Sequence, residues 1–195
     1  MTIDLTPAAH RMAELVRNVD DDQLGAATPC PAYTLGDLLD HVNGLSFAFA
    51  AAAHKDLEVG SQQPSADASR LGDGWRDRIS GLLDDLAAAW KDPEAWTGMT
   101  RAGGVDLPGE IAGLVALDEL VLHGWDVAMA SAQPYDVDAA SLEATWGFVS
   151  QFSGPGHDDD RRGLFGPEID LPADAPRFER LLGMSGRDPG WSPRS

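Results

Sequence analysis

Residues 118–128 read DELVLHGWDVA. Leucine and valine dominate this run, which has the look of a buried helix. Yet Glu119, His123 and Asp126 recur at spacings of four and three and so share one helical face. Titratable groups on a stripe that should bury hydrocarbon need a reason, because an unpaired buried charge is costly. Working outward, Pro108 opens this helix, and Ile111, Leu114, Val115, Val121, Leu122 and Trp125 carry it to about Ala132. The same period predicts a helix from Pro7 to about Val19, with Met12, Leu15 and Val16 inward. Thr34 reads as the N-cap of another, with Asp37 at its third position, running through Leu38, His41, Leu45 and Phe49 to about Lys55. A helix over about Ser69 to Trp90 turns Trp75, Ile79, Leu82, Leu83 and Leu86 inward, and a shorter one spans about Asp138 to Phe152. Residues 56–68 are loop-like, and residues 91–110 are turn-rich with room for a short hairpin. From Ser153 onward Gly, Pro and Asp accumulate, and only RFERLLG (177–183) keeps a helical pattern. The fold class is all-α: a helical bundle with an irregular C-terminal segment.

Length and charge narrow the function. A chain of 195 residues suits one domain with a sizeable core. No apolar run reaches the roughly 18–20 residues that span a bilayer, and the start, MTIDLTPAAH, shows no secretory leader. The single cysteine, Cys30, excludes an intrachain disulfide and fits a reducing, cytoplasmic setting. Fourteen basic residues against 32 acidic ones give a formal net charge of −18. Beyond Arg161–Arg162 there is no cluster of positive charge, which argues against nucleic acid and anionic membrane as partners.

Glu119 and His123 can converge on one metal ion, and a facing helix of a bundle can supply a third ligand. His41 is the candidate, lying mid-helix among Leu38, Leu39, Val42 and Leu45. Two histidines and one glutamate leave a position open for water or substrate. The competing reading is structural: an E-x-x-x-H pair also occurs as a surface salt bridge or a hydrogen-bonded core histidine. A second inward imidazole favours the metal, since buried imidazoles are uncommon in so small a core. Asp126 is placed to hold the His123 ring or a bound water. Asp37 is one turn before His41, but its capping role already accounts for it. Arg101 is a candidate binder of an anionic substrate. Cys30 reads as a small buried hydrophobe and is counted neither as a ligand nor as a nucleophile, His54 falls on another face, and His10 and His157 are expected on the surface. Trp75, Trp96, Trp125 and Trp146 read as core.

TPCPAYTLGDLLDHVNGL (28–45) followed by ELVLHGWDVAMASAQ (119–133) resembles the N-terminal-domain family of the mycothiol-dependent maleylpyruvate isomerase. That family belongs to the DinB-like (YfiT-like) four-helix-bundle superfamily. The ending FGPEIDLPADAPRFERLLGMSGRDPGW (165–191) is similar to the tail of small actinobacterial members. The resemblance implies a single DinB-like metal-binding domain over 1–195, with the bundle over about 6–152 and the tail over 153–195. It implies a divalent metal, usually zinc, with nickel or another divalent ion also compatible, held by His41, Glu119 and His123. It also implies mycothiol as cosubstrate and a small electrophile as substrate, in a monomer or homodimer. The leading expectation is a thiol transferase or isomerase-like enzyme in which the thiol sulfur attacks the electrophile. A metal-water hydrolase or cyclase of specialised metabolism, or a non-catalytic metal-binding protein, is the alternative. The isomerase carries a second domain with a substrate-binding arginine for which 195 residues leave no room, so maleylpyruvate isomerisation itself is not expected.

Overall fold

The computed structural model describes residues 2–61, 66–157 and 159–193. Six helices and one hairpin follow in chain order: α1 (Thr6–Arg17), α2 (Leu35–Ala53), α3 (Trp75–Ala89), β1 (Met99–Ala102), β2 (Val105–Pro108), α4 (Gly109–Ala130), α5 (Ala139–Val149) and α6 (Arg177–Met184). The helices α1 to α4 close a ring, with α1 and α2 each packed on both α3 and α4. Inside it lie Met12, Leu15, Leu38, Leu45, Ile79, Leu83, Leu86 and Leu117, each almost fully buried. Among the described residues, no helix is long and apolar enough to cross a membrane.

Local chemistry fixes the two helices that matter most. At the start of α2 the Thr34 hydroxyl accepts from the Asp37 amide, and Asp37 Oδ2 accepts from the Thr34 amide at 3.1 Å. This reciprocal cap satisfies two amides that the first turn leaves unpaired. Asp37 Oδ1 also accepts from the Ala68 amide at 2.9 Å, so its carboxylate is engaged away from His41. The central helix is α4. From Leu120 to Ala128 every residue is buried, because α1, α2, α5 and the hairpin enclose it. A helix apolar on every side is stable only when covered on every side. Gly113 lets it approach the Trp90–Trp96 pair: a β-carbon there would lie 2.6 Å from Trp96 Cζ3 and 2.9 Å from Trp90 Cζ3.

Two expectations shift and a third is met. The third helix begins at Trp75, not at Ser69; a short 3-10 turn over Ala68–Arg70 is followed by Gly72 and Gly74 at φ +60° and +67°, a conformation that breaks a right-handed helix. Leu82 is half-buried rather than inward. The turn-rich stretch does form a hairpin, with Ala102 paired to Val105 across Gly103 and Gly104, both at positive φ, which a two-residue turn of this kind requires. The chain is thus mostly helical with one small sheet. Of the loop expected over residues 56–68, residues 62–65 lie outside the described residues.

The C-terminal segment has little regular structure beyond α6, as composition suggests, but it is well anchored. Leu181 and Leu182 are buried in the core. Arg161, buried to 4% exposure, donates to the carbonyls of Phe152, Gly166 and Met184 and to Glu168 Oε1. One guanidinium therefore ties the loop after α5 to the end of α6.

Candidate functional site

His41 projects from the middle of α2, and Glu119 and His123 project from adjoining turns of α4, across the interface between the two helices. Glu119 Oε2 lies 3.0 Å from His123 Nε2 and 3.6 Å from His41 Nε2. The two imidazoles meet edge to face with centroids 5.1 Å apart. Glu119 Oε2 and His41 Nδ1 are buried and have no hydrogen-bond partner of acceptable geometry. An ion with bonds of about 2 Å sets neighbouring tetrahedral ligands roughly 3.3 Å apart. The two measured separations straddle that value, and among the described residues these three form the one group whose ligand atoms all lie within 4.8 Å of one another. The donor set of two imidazoles and one carboxylate fits a divalent ion such as zinc, and one coordination position would stay open.

Behind His123 stands a second layer. Its Nδ1 lies 2.8 Å from Asp126 Oδ2, and Asp126 is fully buried. Arg187 closes on the same carboxylate with two bonds, Nε to Oδ1 at 2.9 Å and Nη2 to Oδ2 at 2.7 Å. Burial works against an ionised Asp126, but the Arg187 charge and the bonds from Arg187 and His123 outweigh it and hold its pKa below the ordinary carboxylate value. An ionised carboxylate can only accept, so the proton of the neutral His123 ring sits on Nδ1 and the Nε2 lone pair faces Glu119 and the cavity.

Without a metal, the same cluster is a buried ion network. Burial opposes the charged form of His123, but the bond to Asp126 and the Glu119 carboxylate 3.0 Å away overcome it and raise its pKa to about 9. Burial likewise opposes ionised Glu119, and the two imidazoles beside it win, pushing its pKa well below the carboxylate range. Asp118 behaves oppositely: burial, reinforced by the Glu119 charge, lifts it to about 8, and its Oδ1 has no partner. Burial also pushes the Cys30 thiol up, so Cys30 is not an activated nucleophile.

The triad opens into a cavity of about 340 Å3 whose walls include Cys30, Tyr33, Asp118, Ser185 and Arg187. Arg101 does not line it. Its guanidinium is held across the hairpin by both oxygens of Asp106, at 2.6 and 3.0 Å, and by Ser61. His10 is exposed, and His54 caps the far end of α2. His157, expected on the surface, keeps 41% of its side chain exposed, with its ring beside Asp160. Trp75, Trp96 and Trp125 are core residues, whereas Trp146 is half-buried under the Arg177 and Arg180 side chains. Sequence reasoning missed Arg187, which lies 61 residues from its partner. An arginine beside a buried aspartate leaves no periodic trace when the two are joined through an irregular tail.

Residues 5–128 match the family model described as the mycothiol maleylpyruvate isomerase N-terminal domain. The chain belongs to this family. The matched segment carries His41, Glu119, His123 and Asp126, while Arg187 lies beyond it. An uncharacterized protein of Mycobacterium tuberculosis, recorded in two strains, is 26% identical over 185 residues, covering 92% of this chain and 93% of the relative. The crystal structure of the mycothiol-dependent maleylpyruvate isomerase aligns with a TM-score of 0.57 at 18% identity, over 77% of this chain and 72% of that one. A histidine-to-alanine mutant of the same enzyme gives 0.57 at 19%. At these identities the likeness is one of fold.

Proposed function

We propose that this protein is a metal-dependent thiol transferase or isomerase-like enzyme that joins a polar low-molecular-weight thiol, such as mycothiol, to a small electrophile. The observation that carries the reading is the convergence of His41, Glu119 and His123 at the wall of a cavity, with the buried Glu119 Oε2 left without a hydrogen-bond partner. Membership of the mycothiol maleylpyruvate isomerase family supports the choice of a thiol over water as the ligand that completes the site. The bound ion, zinc by donor chemistry, would supply a Lewis acid that keeps a thiol ionised near neutral pH.

The chain's own residues do the rest. Asp126 holds the His123 proton on Nδ1, and Arg187 keeps Asp126 ionised and oriented. Asp118, a residue of the polar cavity's wall, keeps its Oδ1 buried and without a hydrogen-bond partner. The thiol proton leaves to solvent as the thiol binds. The sulfur then bonds to an unsaturated carbon of the electrophile as that carbon's π bond breaks. In a transferase the displaced electron pair takes a proton from solvent and the C–S bond persists. In an isomerase the C–S bond breaks again after rotation, re-forming the π bond and returning the thiolate.

Elemental analysis of protein purified without chelator should find about one divalent ion per chain. His41→Ala and His123→Ala should each lose most of it, and full occupancy in both would overturn the ligand set. After cobalt substitution, adding mycothiol should raise a sulfur-to-metal charge-transfer band and release about one proton. An unchanged spectrum at saturating thiol would transfer the reading to a metal-water hydrolase or cyclase on the same three ligands.

A further inference from the structure

A second cavity, of about 350 Å3, lies on the hairpin side of the triad. It shares His41, Glu119 and Leu164 with the first cavity and nothing else. The two differ in kind. The first is walled by Cys30, Tyr33, Asp118 and Arg187, and the second by Leu45, Phe49, Leu107 and Val115. From the proposed thiol-transfer reading, on which this rests, we infer that the second cavity seats the electrophile, and that this electrophile is neutral and apolar.

Strand geometry carries the argument. Side chains alternate along β1, so Thr100 and Ala102 face inward while Met99 and Arg101 face out. Thr100 is buried, with its hydroxyl bonded to the Ala52 carbonyl at 2.6 Å, which fixes the phase. Ala102 consequently lines the cavity, and Arg101, spent on Asp106, does not. No lysine or arginine lines this cavity among the described residues; its ionisable groups are His41 and Glu119, at the triad end. An ionised carboxylate entering here would lose its hydration and gain no cation, a cost that a neutral ligand avoids. The net charge of −18 adds a long-range bias against anions. An apolar cavity of about 150 Å3 accommodates benzene, so this one has room for a two-ring molecule. Leu164, 56% exposed, lines both cavities. The two reactants would thus approach the triad from different sides, and each would find walls of its own polarity.

Naphthalene, followed by its fluorescence, and maleate, followed by calorimetry, are the probes for the protein carrying its metal. Naphthalene should bind saturably and maleate should not. Ala48→Leu, which fills the cavity, and Val105→Asp, which sets a carboxylate at its mouth, should each weaken naphthalene binding by at least about tenfold. Val105 is 62% exposed, so its variant stays informative even if the Ala48 variant unfolds. Naphthalene binding unaltered in the folded variants, or maleate binding more tightly than naphthalene, would overturn the inference. Metal content and the cobalt–thiol band, read on the same samples, separate this outcome from a failure of the thiol reading. Lost metal or an absent band with naphthalene still bound sinks the enzyme reading alone.

Discussion

Asp126 determines which nitrogen of His123 is available, and it does so from complete burial. Replacing it by asparagine keeps the shape but removes the charge that holds the Nδ1 proton. Such changes behind a metal ligand weaken metal binding by about 10–100-fold. Asp126→Asn should fall in that range by chelator competition, and Arg187→Gln should weaken binding in the same direction; unchanged affinity in both would remove the second layer from the site. The metal-free protein makes a further prediction. His123 has a folded pKa of about 9 against an ordinary 6.5, so its stabilisation is complete below pH 6.5 and is lost as pH rises through 9. Glu119, depressed from 4.5, contributes above pH 4.5 and loses its contribution as pH falls below that value. In chelator-treated protein, His123→Gln should therefore be most damaging between about pH 5 and 6.5 and least damaging above pH 9. Urea midpoints across that range test this, and a pH-independent difference would refute it. Of these residues, His41, Glu119, His123 and Asp126 were legible because helix periodicity converts spacing into direction. Arg187 was not, since no period connects it to α4.

The helices were legible where the local code is strong and less so where glycine interrupts it. The start of α2 agrees with its capping pattern because Thr34 and Asp37 satisfy each other's amides without tertiary help. The start of α3 was misread because the apolar period continues back to Leu71, while Gly72 and Gly74 take left-handed dihedrals that periodicity does not register. Gly113 is a different case, where the helix needs glycine for clearance and not for conformation. The rings it faces cannot yield easily: Trp96 Nε1 donates to the Trp90 carbonyl at 2.8 Å, and Trp90 Nε1 donates to the Phe49 carbonyl at 3.1 Å. Gly113→Ala gains helix propensity of up to about 1 kcal/mol, yet overpacking a held core costs about 1–3 kcal/mol. Since the clash involves two pinned indoles, the loss should prevail. Denaturant unfolding should show net destabilisation of order 1 kcal/mol or more; a stabilised variant would mean that the indoles can move.

On the scale of the whole molecule, the tail is where composition misleads most. Rich in Gly, Pro and Asp, residues 153–193 read as an irregular segment with one helical stretch, yet they supply Leu164, Ser185 and Arg187 to the polar cavity. What organises them is one buried cation. Arg161 bonds three carbonyls and Glu168 and so replaces the ladder that an irregular segment lacks. A sequence shows an arginine but not the distant carbonyls that converge on it, and for that reason the fold of this segment was not legible. Arg161→Met keeps much of the side chain's bulk but strands those carbonyls, at a cost of about 1–3 kcal/mol for an acceptor left unpaired, while the exposed Glu168 charge adds little. Because α1 to α4 bury their own core, the loss should appear first as local opening of the tail and only later as global unfolding. Amide hydrogen exchange should accelerate across the Arg161–Phe165 turn and across α6, while the amides of α2 and α4 keep their protection. Opening the tail also releases Arg187 from Asp126, so metal affinity should fall together with tail protection even though no ligand has been touched. If exchange in α6 is unchanged, or if metal affinity holds while α6 opens, then the tail covers the site without helping to hold it.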